Sequence, residues 1–378
     1  MTYIVQRRDR FYVVAYDGLD PLTSKERRRW HPAGHDRAEA EAIASQLERE
    51  QTSSAPRRGG PIEFGTFLLD TWLPQKRRQV RSTTAYRYAW MVHRYVIPAI
   101  GHVPLRRLRA DHLDGLYETL ATTGGKHSHG LAPKTVHEVH MIVRAALDLA
   151  VRRGLIDRNV AHATLARRRR ITKTVARIWT PQELAKFLAA AKTQRLYPAL
   201  HLTAHTGMRR GEILGLKWGD LDRSSRRLSI SRTLQNVGGV PTEFGVKTRS
   251  SRRCVDLDLE TMKILDRWKR RLRRDGRPNS HDDWMFCNTA GRSLNPESLS
   301  QLFDRVVQRA GLPRIRFHDL RHTHASLLIV AGVPIKVITE RLGHSHPAFT
   351  IHTYQHLLPG MSAAAADQFA SLVVAAGR

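Results

Sequence analysis

The sequence predicts a mainly helical protein of the α+β class, built from more than one domain. With 378 residues, the chain is too long for one compact core. Apolar residues recur at helical spacing over most of the chain after residue 62. Strand-like alternation is confined to the first 35 residues or so and to a short region beyond residue 226. We therefore expect a small N-terminal sheet-plus-helix domain, a helical domain, and a mostly helical C-terminal domain with a small antiparallel sheet.

The first domain is predicted to cover residues 1–55. Polar and apolar side chains alternate over 3–5 and 10–16, and Asp17-Gly18 supplies a turn signal, which together favour short strands. Asp36 is placed to cap one helix that follows. Residues 51–61 lack hydrophobic periodicity and collect Pro, Gly and Ser, a composition typical of a linker.

Residues 62–163 are predicted to form the helical domain. Apolar side chains lie on one helical face in each of three segments. They are Phe64, Phe67, Leu68 and Trp72; Leu113, Leu116, Tyr117 and Leu120; and Val136, Val139, His140, Val143, Ala146 and Leu147. Residues 164–178 then carry six Lys or Arg residues and no acid, which indicates a basic linker.

The last domain is predicted to span 179–378. Thr180, Pro181 and Glu183 form a capping box with proline in the first turn, which is a strong helix start. The pattern then predicts helices at 181–192, 197–205, 210–216, 260–274, 296–310, 318–331, 334–341, 347–356 and 361–376, strands near 227–233, 246–248 and 252–257, and a loop at 235–245.

The charge balance points to a polyanionic partner. Lys and Arg number 63 against 34 Asp and Glu, a formal charge of +29. Such an excess favours nucleic acid, although an anionic membrane would also attract it. No apolar run is long enough to span a bilayer and the first residues lack a signal-peptide core, so a cytoplasmic protein is expected. Cys254 and Cys287 have neither disulfide-framework nor zinc-site spacing.

Five short motifs in the C-terminal domain carry the chemistry. They read Thr-Gly-Met-Arg-Arg-Gly-Glu (206–212), Val-Lys-Thr (246–248), His-Asp-Leu-Arg-His (318–322), Leu-Gly-His (342–344) and Thr-Tyr-Gln-His (353–356). Guanidinium groups can bind phosphate oxygens bidentately and neutralise the charge that develops when a phosphodiester is cleaved. No Asp/Glu cluster with metal-ligand spacing accompanies them.

Together the motifs resemble those of the tyrosine recombinases, and specifically of the phage-type integrases. The family signature Arg…Lys…His-x-x-Arg…His…Tyr falls on Arg209, Lys247, His318, Arg321, His344 and Tyr354. The resemblance implies that Tyr354 forms a 3′-phosphotyrosyl link and that Lys247 protonates the leaving 5′-oxygen. Glu212, three residues after Arg209, is placed either to orient an arginine or to serve as an ordinary carboxylate at the start of a helix. No cofactor or metal is implied.

The resemblance also implies partners and domain roles. Residues 1–55 would bind arm-type DNA, 62–163 would grip the core site as a SAM-like domain, and 179–378 would cut. The expected partners are double-stranded attachment sites and three further protomers in a tetramer, with the tail from Met361 docking on the next protomer. An accessory DNA-bending protein or excision factor is left open. The expected location is the bacterial cytoplasm, with the nucleoid.

Several alternatives remain at this point. Arg210 competes with Arg209, His346 with His344, and Lys217, Arg249, Arg252 or Arg253 with Lys247. His318 and His322 have the i,i+4 spacing of a zinc pair, but Asp319 stands where the metalloprotease pattern needs Glu. Tyr354 taken alone fits a core tyrosine. A type IB topoisomerase and a non-catalytic architectural DNA binder are the competing functions.

Overall fold

The computed structural model describes residues 2–7, 9–19, 26–53, 61–125, 129–164, 177–246, 252–343, 366–367, 369–371 and 373. The chain divides into two compact units, Met1–Lys173 and Thr174–Arg378. Helices dominate both, and the strands form small antiparallel sheets. The predicted α+β class is confirmed.

The N-terminal segment is a sheet covered by one helix. Strands β1 (Thr2–Arg7), β2 (Arg10–Leu19) and β3 (Glu26–Pro32) pair antiparallel in that order. Helix α1 (Arg37–Ser53) begins where the Asp36 carboxylate accepts a hydrogen bond from the Ala38 backbone, at 3.0 Å. Because α1 continues to Ser53, the predicted start of the linker at residue 51 was wrong.

The rest of the first unit is a helical bundle. Its helices are α2 (Phe64–Phe67), α3 (Leu73–Gln79), α4 (Ser82–Met91), α5 (Ile97–Ile100), α6 (Ala110–Thr122) and α7 (Pro133–Arg152). Two π-helical turns, Leu68–Trp72 and Val92–Val96, connect α2 to α3 and α4 to α5. All the face residues predicted for the three segments are buried in one core.

The helices of the second unit pack around a core that contains three aromatic rings in mutual contact. Trp179, Phe187 and Phe303 lie 5.2 to 5.8 Å apart, centroid to centroid. The helices are α8 (Pro181–Ala191), α9 (Tyr197–Thr206), α10 (Arg210–Leu214), α11 (Leu259–Arg274), α12 (Pro296–Arg309), α13 (Asp319–Val330) and α14 (Ile335–Leu342). The predicted capping box is present, with Thr180 Oγ1 accepting from the Glu183 backbone at 3.2 Å.

Five strands lie among the described residues of this unit. Strands β4 (Leu221–Asp222), β5 (Arg227–Ile230) and β8 (Arg253–Asp256) form a sheet in the order β4-β5-β8, and β6 (Arg232–Val237) pairs with β7 (Val240–Gly245).

One prediction fails in this region. The predicted loop at 235–245 is the β6–β7 hairpin, whose two-residue turn holds Gly238 and Gly239 at φ of 62° and 90°. Glycine adopts such angles without strain, and a turn of this kind matches the twist of the flanking strands. Of the predicted strand at 246–248, Val246 lies outside β7, and residues 247 and 248 lie outside the described residues.

Within the described part of the chain, no helix has the length and apolarity that crossing a membrane requires.

Candidate active site

The site is built around a glycine turn that ends α9. Gly207 has φ of 63°, and a Cβ at this position would lie 2.8 Å from side-chain atoms of His324 and Leu342. The turn therefore requires glycine. Two residues later, Arg209 is the N-cap of α10 in extended conformation, with its side chain 39% exposed. The chain reversal thus presents this arginine at the surface.

Arg321, in the first turn of α13, joins the same turn from the opposite side. Its Nη1 donates to the Gly207 carbonyl at 2.9 Å, and its Nη2 donates to the Leu342 carbonyl at 2.6 Å. Arg321 is only 3% exposed. Backbone carbonyls therefore fix the direction of this guanidinium.

His318 is the N-cap of α13 and lies beside both arginines. Burial, followed by the nearby His322, Arg321 and Arg209, lowers its pKa to about 4. The imidazole is therefore neutral near pH 7 and can both accept and donate a hydrogen bond. His322 packs edge-on against His318, with ring centroids 5.4 Å apart.

Arg209 and His318 line one cleft of about 660 Å³. Its other walls come from β6, the start of α12 and the loop before α13, and include Thr233, Gln235, Asn236, Ser300, Asp304, Arg314 and Arg316. Residues far apart in the sequence thus converge on one surface that carries several arginines and the neutral imidazole of His318, with the buried Arg321 beside it. An anionic oxygen bound there would meet charged donors, the arrangement that stabilises a phosphoryl transition state.

Glu212 lies behind Arg209 and holds it. Its carboxylate accepts from the Arg209 backbone at 2.9 Å and from Arg209 Nη1 at 2.7 Å. The same carboxylate pairs with Arg253 of β8, whose Nη1 and Nη2 donate at 3.2 and 2.9 Å. Glu212 is 3% exposed, and these partners outweigh burial and lower its pKa to about 2. The carboxylate is therefore ionised at any physiological pH.

Arg253 also connects the site to the end of α14. Its Nε donates to the Arg341 carbonyl at 2.7 Å, and the adjacent Leu342 carbonyl binds Arg321. Helix α14 then ends at Gly343 with φ of 67°. Lys247, His344 and Tyr354 lie outside the described residues, so their positions are not part of this geometry.

The competing residues have other partners. Arg210 binds Glu297 at 3.0 Å and Ser300 at 2.6 Å, both on α12. Lys217 lies 3.5 Å from Glu243 and 5.0 Å above the Trp284 ring. Arg249 and His346 lie outside the described residues. No three His, Cys, Asp or Glu side chains among the described residues are grouped to hold a metal ion.

Sequence reasoning gave no structural role to Arg253 and did not consider Arg341. Arg253 shares a strand face with the buried Val255, so period-2 alternation points its side chain inward and calls for a buried carboxylate. Arg341 lies in the last turn of α14, where its Nη2 donates to the His205 carbonyl at 3.0 Å and its Nε to His324 at 3.3 Å. No local sequence signal indicated this second contact.

Two arginines and a neutral imidazole gathered at one turn are the groups that a phosphoryl-transfer enzyme uses to stabilise its transition state. The model of the "Phage integrase family" matches residues 177–360, and that of the "Phage integrase, N-terminal SAM-like domain" matches 64–121. This chain belongs to the phage integrase family and is a tyrosine-type site-specific recombinase.

Three known proteins illustrate the relationship. The ICEBs1 integrase of Bacillus subtilis (strain 168) is 26% identical over 366 residues, covering 94% of this chain and 95% of that protein. The Tn1549 transposon integrase, solved with a circular intermediate DNA, has a TM-score of 0.64 at 20% identity, covering 78% of this chain and 95% of that one. A lambda integrase tetramer bound to a Holliday junction has a TM-score of 0.58 at 20% identity, covering 91% of this chain and 96% of that one. Both solved structures have the same fold as this chain.

Proposed function

We propose that this recombinase cuts and rejoins double-stranded attachment sites through a 3′-phosphotyrosyl link at Tyr354, and so integrates or excises a mobile element. The convergence of Arg209, His318 and Arg321 at the Gly207 turn carries the proposal, because these three match the family signature in both order and chemistry. The ICEBs1 integrase and the Tn1549 transposon integrase, to which this chain is similar, support the same kind of substrate.

The proposed step balances without a metal or a nucleotide. The Tyr354 Oη attacks the scissile phosphorus and the bond to the 5′-oxygen breaks, leaving a 3′-phosphotyrosine and a 5′-hydroxyl. Arg209 and Arg321 neutralise the non-bridging oxygens, and His344 donates a hydrogen bond to one of them. The neutral His318 accepts the tyrosine proton, while Lys247 protonates the leaving oxygen. Attack by a 5′-hydroxyl of the partner strand reverses the step.

The domain roles follow the same order along the chain. We assign 1–55 to arm-type DNA, 62–163 to the core site, 164–178 to a basic linker that tracks phosphates, and 179–378 to catalysis. The SAM-like match at 64–121 supports the second assignment, and the exposed Arg28 and Arg29 of β3, a strand of an open sheet, suit phosphate contacts in the first.

Assembly is proposed to be a tetramer on DNA, as in the lambda integrase structure. Phe369 and Val373 of the C-terminal tail are 69% and 55% exposed, so they are available for a heterologous contact with the next protomer. The protein would act in the bacterial cytoplasm, at the nucleoid, with or without an accessory DNA-bending protein or excision factor.

The nucleophile is tested by covalent trapping. Nicked duplexes from the DNA that flanks the gene are incubated with wild-type protein and with Tyr354→Phe, and adducts are resolved on denaturing gels. Wild type is expected to form an adduct in the presence of EDTA, whereas Tyr354→Phe binds the same duplex and forms none. An adduct with Tyr354→Phe would contradict the assignment. Loss of the wild-type adduct in EDTA, restored by zinc or magnesium, would instead favour a metal-dependent enzyme.

A further inference from the structure

Helix α11 has two faces of opposite character. Ile264, Leu265, Trp268 and Leu272 are buried against the unit's core. Lys263, Arg267, Arg270 and Arg274 are exposed and recur at i, i+4, i+7 and i+11, so they form one row on the outward face. We call these four residues the α11 basic row. Over eleven residues the row is about 16 Å long.

The charge of the α11 basic row is only partly compensated. Glu260 lies 3.0 Å from Arg267 and 3.9 Å from Lys263, and Asp275 lies 3.8 Å from Arg274. These side chains are more than 40% exposed, and ion pairs in water of this kind contribute little. Two carboxylates therefore face four cations.

Like charges also crowd one another along α11. Lys263 precedes Arg267 by four residues, and Arg270 precedes Arg274 by four, spacings at which like charges on a helix repel. At the flank of the row, burial and the neighbouring Arg223 and Arg273 lower the pKa of Lys269. Helix α11 thus carries unfavourable electrostatic energy that a bound polyanion would relieve.

The row runs along α11 away from the catalytic turn. Helices α9 and α11 run antiparallel, because His205 contacts Asp258 at 3.4 Å while Arg195 lies 5.5 Å above the Trp268 ring. Gly207 and the arginines follow the end of α9 that adjoins the start of α11. The basic C-terminal half of α11 therefore extends up to about 24 Å from that end. The far end of the row is thus too distant to contact the phosphate that the catalytic turn would bind.

We propose that the α11 basic row is a second DNA-binding surface of the catalytic unit, which holds another duplex segment without regard to its sequence. The choice of DNA as the polyanion rests on the proposed function. A duplex presents about one negative charge per 1.7 Å of axis, so a 16 Å row of four cations faces a dense line of phosphates. Contacts from such a row to phosphates carry no sequence information.

The proposal that the α11 basic row binds a second duplex is tested by measuring whether the protein bridges two duplexes. The full-length protein is loaded on an immobilised 40-bp duplex of random sequence, and capture of a second, fluorescent duplex is measured against salt. The row variant carries Lys263→Gln, Arg267→Gln, Arg270→Gln and Arg274→Gln. A matched control loses the same charge from exposed positions elsewhere in the unit, through Lys186→Gln, Lys192→Gln, Arg292→Gln and Arg309→Gln.

The row variant is expected to capture at least about tenfold less second duplex than the wild type or the control. Because each phosphate contact contributes about 0.9 to the salt slope, the slope for capture should fall by about 3 to 4. In the wild type, saturating duplex should protect Lys263 from acetylation and leave Lys186 reactive. Equal capture by the row and control variants, or unchanged acetylation of Lys263, would overturn the proposal.

Binding to vesicles that contain phosphatidylserine distinguishes DNA from the other candidate partner, an anionic membrane. If the row binds vesicles but captures no duplex, the surface is a membrane contact and the proposal fails. The outcome is independent of the Tyr354 adduct. Bridging without an adduct would refute the proposed function alone, and an adduct without bridging would refute this inference alone.

Discussion

Glu212→Met is expected to destabilise the C-terminal unit and to disable Arg209 at the same time. The variant leaves the guanidinium of Arg253, whose side chain is 6% exposed, without its carboxylate. Removing one partner of a buried ion pair costs about 3–5 kcal/mol. For a unit of this size, 1 kcal/mol corresponds to about 2–4 °C, so the unfolding midpoint should fall by about 6–20 °C.

The double variant Glu212→Met, Arg253→Met separates the two effects. It removes both buried charges and fills their place with apolar side chains, which is often nearly neutral for stability. The Arg209 N–H loses its partner in both variants, so the double variant adds only the unpaired Arg341 carbonyl, which costs about 1–3 kcal/mol at most. This is less than the roughly 3–5 kcal/mol that the unpaired Arg253 guanidinium costs in Glu212→Met. The midpoint should therefore rise above that of Glu212→Met. In both variants the rate of strand cleavage should be about 10²–10³ below that of the wild type, because Arg209 has lost the carboxylate that orients it.

Calorimetry of the full-length protein and single-turnover cleavage of a nicked substrate measure the two quantities. Glu297→Met is the matched control, since Glu297 also pairs with an arginine but is 57% exposed. A surface pair contributes about 0–1 kcal/mol, so its midpoint should move by at most about 4 °C. If the unfolding midpoint of Glu212→Met lies as close to wild type as that of Glu297→Met, the Glu212–Arg253 pair does not stabilise the unit as argued. If the double variant cleaves DNA at the normal rate, Glu212 does not orient Arg209.

Three other predictions concern single groups or segments. Lys247→Ala should cleave normal DNA about 10²–10⁴-fold more slowly but recover on a substrate with sulfur at the bridging 5′ position, because a thiolate leaves without an acid. Arg209→Ala, the control, should not recover on that substrate. If Lys247→Ala is equally slow on both substrates, the role of Lys247 is positional. In the DNA-free protein, NMR of the His318 ring should show titration near pH 4. Since the unfolded chain binds that proton near pH 6.5, His318 should make stability rise with pH between about 4 and 6.5, and a midpoint at or above 6.5 would contradict the lowered pKa. Removal of residues 1–55 should abolish footprinting of a separate arm-type site and retain core cleavage, whereas an unchanged footprint would contradict the arm assignment.

The helices were predictable because their signals are local. The Thr180 and Glu183 cap lies within one turn, and the Phe64 to Trp72 face repeats at a spacing that only a helix buries on one side. The β6–β7 hairpin was missed although Gly238-Gly239 is a hairpin signal. Of the β6 residues only Leu234 is buried, so the strand lacks the alternation that would have supported that signal.

The site was predictable in part for a different reason. Arg209, His318 and Arg321 lie in short motifs whose order could be read directly, but the pairing of Glu212 with Arg253 joins residues 41 positions apart. Nothing in the local sequence of either residue selects the other. Only the fold, which brings β8 behind α10, determines that the inward-facing Arg253 meets this carboxylate.

The end of α14 gives this long-range pairing a consequence for the reaction. The Arg341 carbonyl accepts from Arg253 and the Leu342 carbonyl accepts from Arg321, so two arginines that serve the site hold the last turn before Gly343. His344 is the next residue, and a trans peptide keeps its Cα about 3.8 Å from that of Gly343. Tyr354 follows ten residues later, a length that spans about 15 Å as helix and more than twice that when extended. These contacts therefore restrict where the second histidine can lie, whereas the position of the nucleophile depends on the intervening segment, on the bound DNA, or on a neighbouring protomer.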